Sequence, residues 1–118
     1  MSCLFNSLSA LEKSSSSQEI RTKICDWLST DPALLDDLSA SVVIAIESGQ
    51  SLEKYVQNMR SPSVWGGAIE IRAFVQLWNR PVRVWVIRTQ RWIEFPCSLV
   101  SSSECKLSWT GGHYEPMQ

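Results

Sequence analysis

The amino-acid sequence predicts an α+β domain in which N-terminal helices pack on a small, mostly antiparallel C-terminal β-sheet. Up to Trp78 the apolar residues recur at the three- and four-residue intervals of a buried helical stripe. From Val82 onward they alternate or cluster as β-branched residues, as strands require. A third observation sets the scale: 118 residues without repeat or linker make one domain, 1–118, small but able to bury a core.

Leu4, Phe5, Leu8 and Leu11 define a first helix, with Cys3 at or just before its start. The run KSSSSQE is a loop ending in a capping signal, Ser16 followed three residues later by Glu19. A second helix then runs to about Leu28 with Ile20, Ile24, Trp27 and Leu28 inward. Asp31 as cap and Pro32 at the first helical position predict a third helix, carrying Leu34, Leu35 and Leu38 and continuing through VVIAI to a stop at Gly49. Ser51 opens a short fourth helix through Tyr55, Val56 and Met59. SPSVWGG breaks the chain, and AIEIRAFVQLW, apolar on most sides through Leu77 and Trp78, is a mostly buried fifth helix. Asn79, Arg80 and Pro81 turn into a strand over VRVWVI; RTQR is a hairpin turn into WIEF, which Pro96 ends. SLVSSSE is a polar loop, KLSW a further strand, Gly111 and Gly112 a bend, and HYE a return to extended chain.

Composition excludes several classes of function. The net charge is −1 and the basic residues are scattered, so no stripe of Lys or Arg exists to grip a phosphate backbone, and nucleic acid is not an expected partner. No apolar run approaches the roughly 20 residues of a membrane span, and the N-terminus does not read as a secretory signal. The expected compartment is cytoplasmic, and Cys3, Cys25, Cys97 and Cys105 are read as thiols, their spacing being irregular. No C-x-x-C pair supports a zinc site, so neither metal nor other cofactor is expected, although Cys97, Cys105 and His113 fall at equal intervals. Six tryptophans supply core or interface area and by themselves name no function.

The chemistry-bearing pattern lies at the two ends. A cysteine nucleophile acts as its thiolate, which a helix N-terminus or a neighbouring imidazolium favours, and Cys3 is predicted at such a start. The sole imidazole is His113, in TGGHYEPM. An activating imidazole is itself oriented by a third group, and in a strand Glu115 shares a face with His113 while Tyr114 faces the other way. Each residue also has a plain structural reading: Cys3 as helix filler, His113 as surface, Glu115 as a solvated charge.

Three segments carry a family resemblance. CLFNSLS, from Cys3 to Ser9, resembles the nucleophile segment of the ovarian tumour (OTU) family of deubiquitinating cysteine proteases, in which a cysteine opens a helix followed by an apolar pair. SPSVWGGAIEIRAFVQLWNRPVRVWV resembles the central segment of that family, and TGGHYEPM its closing one, in the family's order and across nearly the whole chain. The resemblance implies an OTU-like, papain-like fold and hydrolysis of the bond after the C-terminus of ubiquitin or a ubiquitin-like modifier. Cys3 would be the nucleophile, His113 the general base and then acid, and Glu115 the orienting residue, in a position where the family more often has aspartate or asparagine. Trp65, Gly66, Gly67 and Glu70 match the central signature: Trp65 is read as a packing anchor with a possible share in the substrate surface, and the glycines as a bend that brings the helix close. Compact versions of the family occur in viral polyproteins, so polyprotein processing is a further implied activity. An impaired ubiquitin- or protein-binding module of the same fold is the alternative. The family's Asp-Gly loop before the cysteine, part of its oxyanion hole, has no counterpart in Met1 and Ser2; the domain is then either cut from a longer polypeptide or builds the hole differently.

Overall fold

The computed structural model describes residues 3–97 and 103–117. Its elements in chain order are α1 (Cys3–Leu11), α2 (Ser17–Leu28), β1 (Ala33–Leu35), β2 (Leu38–Ser39), α3 (Ala40–Ser48), α4 (Leu52–Met59), α5 (Ala68–Trp78), β3 (Val82–Val86), β4 (Arg91–Phe95), β5 (Cys105–Trp109) and β6 (Tyr114–Met117). The fold is α+β. Leu4, Phe5 and Leu8 of α1, Ile20, Ile24 and Leu28 of α2, and Phe74 of α5 interlock with Val82, Val84 and Leu107 of the sheet in one core. Trp27, expected inward, is only partly buried at its margin, and Leu77 is exposed.

The main sheet has the order β4-β3-β5-β6. β3 pairs antiparallel with β4 (Val84 opposite Ile93) and parallel with β5 (Val84 opposite Leu107), and β5 pairs antiparallel with β6 (Ser108 opposite Glu115). The sheet is therefore mixed, and the parallel pair forces a connection between β4 and β5 that crosses from one side of β3 to the other. The polar loop SLVSSSE expected in that connection spans 98–104; its residues 98–102 lie outside the described residues, and Ser103 and Glu104 are irregular chain. Arg80 anchors its far end: Nε donates to Ser103 O (2.9 Å), and Nη1 to Leu11 O (3.0 Å) and Glu12 Oε1 (2.8 Å), tying the end of α1 to the approach to β5.

The capping signals behave as chemistry demands. Ser16 Oγ accepts the Glu19 N–H (3.1 Å) while Glu19 Oε1 accepts the Ser16 N–H (2.9 Å), a complete capping box for α2. Ser51 caps α4 one way only, its Oγ accepting the Lys54 N–H (3.3 Å), and Gly49 ends α3 in the left-handed region at φ 72°.

The third helix is corrected. Instead of one helix from Asp31, the chain makes a hairpin, β1 and β2, before α3 begins at Ala40. Asp31 and Asp36 adopt φ values of 57° and 52°, which no helix contains, and Pro32 O accepts the Ala40 N–H (2.7 Å) across the hairpin. Asp31 does cap a helix, but by tertiary contact: Oδ1 accepts the N–H of Ser41, in the first turn of α3, at 2.8 Å. Leu38, expected on a buried stripe, is 42% exposed.

Candidate active site

Cys3 is the first residue of α1, half-buried, and faces the end of the sheet that carries His113. Helix α1 and strand β6, from opposite ends of the described chain, therefore meet. One cleft is walled by Cys3, Asn6 and Ser7 on the helix and by His113, Tyr114 and Glu115 at the start of the C-terminal strand. Among the described residues one side-chain hydrogen bond links the two walls, through Ser7 Oγ, which is within reach of Cys3 O (2.8 Å) and Tyr114 O (3.1 Å).

The hairpin between β5 and β6 presents the histidine. Gly111 takes φ 108°, a conformation that L side chains rarely adopt, and Thr110 N–H donates to His113 O (3.1 Å) to close the turn. His113 stands just before β6 rather than within it, yet the strand alternation still applies. His113 and Glu115 are on the open side, with side chains 56% and 65% exposed, and Tyr114 is half-buried, stacked on Trp109 with ring centroids 6.0 Å apart. Glu115 Oε1 lies 3.5 Å from His113 Nε2, an ion-pair spacing longer than a hydrogen bond. Burial, helped by the nearby Cys3 and Glu70, pushes the Tyr114 hydroxyl up to about 12.

The Trp65-Gly66-Gly67 bend forms the opposite wall. Gly66 lies so close to α1 that a Cβ there would stand 2.8 Å from Leu4 Cδ2 and 2.9 Å from Phe5 Cε2, whereas one on Gly67 would meet nothing within 4 Å. The expected close approach is thus made by Gly66, against the helix that carries Cys3. Trp65, read as a packing anchor, is 53% exposed, and its ring overhangs Gly112, just ahead of the histidine. Behind the bend, a second cavity of about 300 Å³ opens beside Cys3, with Ile71, Val84, Ile93 and Trp109 making it apolar.

Two buried charges hold the bend. Glu70, the third residue of α5, accepts the Gly67 N–H at Oε1 (2.8 Å) and the Tyr55 hydroxyl at Oε2 (2.6 Å), and burial outweighs these bonds to push its carboxyl up to about 7. Arg21 of α2 donates to Met59 O (2.7 Å) and Val64 O (2.9 Å), with its guanidinium 4.2 Å above the Phe5 ring. Neither role stands out in the sequence, though both had a signal. Arg21 occupies the stripe of Ile24, Cys25 and Leu28, and Glu70 stands three residues after a glycine that serves as N-cap.

Of the predicted residues, the structure brings Cys3, His113, Glu115 and Trp65 into one cleft; Ser7 and Tyr114, which complete it, were not singled out. Cys105 in β5 and Cys97, two residues beyond β4, are free thiols away from the cleft, and among the described residues no cluster of three His, Cys, Asp or Glu could hold a metal. Met1 and Ser2, where an upstream oxyanion loop would join, lie outside the described residues. Among the described residues no helix is long and apolar enough to cross a membrane.

Solved structures share this architecture. An OTU domain in complex with ubiquitin superposes with a TM-score of 0.78 at 20% identity, over 98% of this chain and 62% of that one. The viral OTU domain protease from Dera Ghazi Khan virus does so at 0.74 and 21% identity, over 99% and 74%. That from Qalyub virus gives 0.68 and 16%, over 98% and 78%. At these identities the likeness is one of fold, and the chain spans less than two thirds of the ubiquitin-bound domain's length. No curated protein matches the sequence. The family model described as OTU-like cysteine protease matches residues 2–114, and with nearly the whole sequence so accounted for, the chain belongs to the OTU-like cysteine protease family.

Proposed function

We propose that the chain is a deubiquitinating cysteine isopeptidase, cleaving the bond after the C-terminal glycine of ubiquitin or a ubiquitin-like modifier in the cytoplasm. One observation carries the reading: Cys3, at a helix N-terminus, and His113, with Glu115 beside Nε2, wall the same cleft although 110 positions separate them in sequence. Because Glu115 faces Nε2, Nδ1 is the nitrogen free to serve the thiol. The Cys3 thiolate attacks the carbonyl carbon of the isopeptide bond, and the His113 imidazolium gives its proton to the departing lysine amine. A thioester on Cys3 remains. Water, deprotonated by the now neutral imidazole, releases the modifier and regenerates the thiol. Trp65, exposed over Gly112, would cover the extended tail of the modifier as it enters. The ubiquitin bound in the similar OTU domain supports this substrate class.

A ubiquitin C-terminal electrophile is expected to label wild-type protein at Cys3, and labelling is expected to vanish in Cys3→Ala and in His113→Ala. Retained labelling in Cys3→Ala would remove the nucleophile assignment. The exposed, loosely spaced His113 and Glu115 favour one alternative, a module that binds ubiquitin without turning it over. Saturable binding of ubiquitin with no labelling of Cys3 selects that alternative. Self-cleavage within a longer polyprotein would follow from the same chemistry, and a precursor carrying Cys3→Ala would then accumulate uncut.

A further inference from the structure

We propose that Ser7 is the positioning residue of the Cys3–His113 pair, its hydroxyl setting the spacing between the helix that bears the thiol and the strand that directly follows the imidazole. The inference rests on the isopeptidase reading and names a residue that reading does not use. Ser7 is one turn below Cys3 on the same face of α1, and it is 3% exposed. Its hydroxyl carries a single proton. Two carbonyls compete for that proton, the Cys3 O at 2.8 Å and the Tyr114 O at 3.1 Å.

A serine bonded only to the carbonyl four residues back would be an ordinary local contact within a helix. The second acceptor changes its meaning. β6 is an edge strand, so the carbonyls on its outer side have no strand partner, and the Tyr114 carbonyl finds Ser7 instead. Among the described residues this is the one side-chain hydrogen bond joining α1 to β6. The acceptor belongs to the residue directly after His113, so any slide of the helix along the strand moves the thiol against the imidazole. The Gly111–Gly112 turn fixes the histidine on its sheet side through Thr110; Ser7 fixes it on the helix side.

The test compares wild type, Ser7→Ala, Ser7→Thr and His113→Ala. It uses two readouts: the pH profile of iodoacetamide alkylation at Cys3, read by mass spectrometry, and the labelling rate with a ubiquitin C-terminal electrophile. Displacement by a fraction of an ångström is expected to lower the maximal labelling rate of Ser7→Ala about tenfold, with the half-saturating probe concentration within about twofold of wild type. Its alkylation profile is expected to move toward that of His113→Ala, and Ser7→Thr, which keeps the hydroxyl, is expected to restore both. If wild type behaves as a thiol–imidazole pair and Ser7→Ala superimposes on it, the role of Ser7 is overturned while the isopeptidase reading stands. A loss in Ser7→Ala that leaves the alkylation profile unmoved marks a packing effect and overturns it as well. If wild-type Cys3 neither labels nor differs from His113→Ala in its profile, both readings fall together.

Discussion

Gly66→Ala probes whether the Trp65-Gly66-Gly67 bend positions the nucleophile helix. The added methyl would stand 2.8 Å from Leu4 Cδ2, 2.9 Å from Phe5 Cε2 and 3.1 Å from Phe5 Cζ. Carbon atoms rest at about 3.5 to 4 Å, so roughly 0.5 to 1 Å must open between the bend and α1. Leu4 and Phe5 are both fully buried, and the guanidinium of Arg21 lies over the Phe5 ring, so neither side chain can retreat. Overpacking of this kind costs about 1 to 3 kcal/mol, offset by about 0.4 to 1 kcal/mol from the stiffer unfolded chain. A net loss of about 1 to 2 kcal/mol lowers Tm by roughly 4 to 10 °C in a domain of this size. A Cβ on Gly67 would meet no atom within 4 Å, so Gly67→Ala bears only the cost of Ala at the N-cap of α5, about 1 kcal/mol or less. Thermal melts followed by circular dichroism measure both against wild type. Gly66→Ala should melt clearly below wild type and should also label more slowly at Cys3, since the displaced helix carries that residue. A Gly66→Ala melting temperature equal to that of wild type would refute the idea that the bend is wedged against α1.

Two buried charges allow further predictions. Replacing Arg21 by Met fills the space but strips Met59 O and Val64 O of a donor and removes a cation that favours the ionised form of Glu70. Breaking such a buried polar set costs about 3 to 5 kcal/mol, and a denaturant midpoint within error of wild type would contradict it. The carboxyl of Glu70 is raised in the folded protein to about 7 from an ordinary 4.5, so the folded state holds its proton more tightly than the unfolded chain does. Its contribution is therefore fully present below about pH 4.5 and lost as pH rises to about 7, a decline of roughly 3 kcal/mol. Glu70→Gln cannot titrate, so urea midpoints measured across that window should fall less steeply than those of wild type. Parallel slopes would show that Glu70 ionises normally.

Much of the architecture follows from local chemistry. Ser16 with Glu19, Ser51, and the apolar stripe of α5 each act within a few residues, so the sequence alone announces those helices and their starts. β3 was equally legible as a β-branched run, and β4 as the segment between the RTQR turn and Pro96. The stretch 31–39 was not, because Asp31 and Pro32 satisfy the rules of a helix start while the left-handed backbone at Asp31 and Asp36 is imposed by pairing and by the reach of Asp31 to Ser41. The parallel pairing of β3 with β5 was hidden for the same reason: alternation marks a strand but not its neighbour. The sequence determined which groups could do chemistry, a thiol at a helix start and one imidazole two residues before a carboxylate. Only the tertiary structure decided that they share a cleft, that Trp65 lies exposed over it, and that Arg21 and Glu70 are interior. Those outcomes depend on contacts between residues far apart in the chain, set by the packing of whole elements, and no local pattern encodes such a distance.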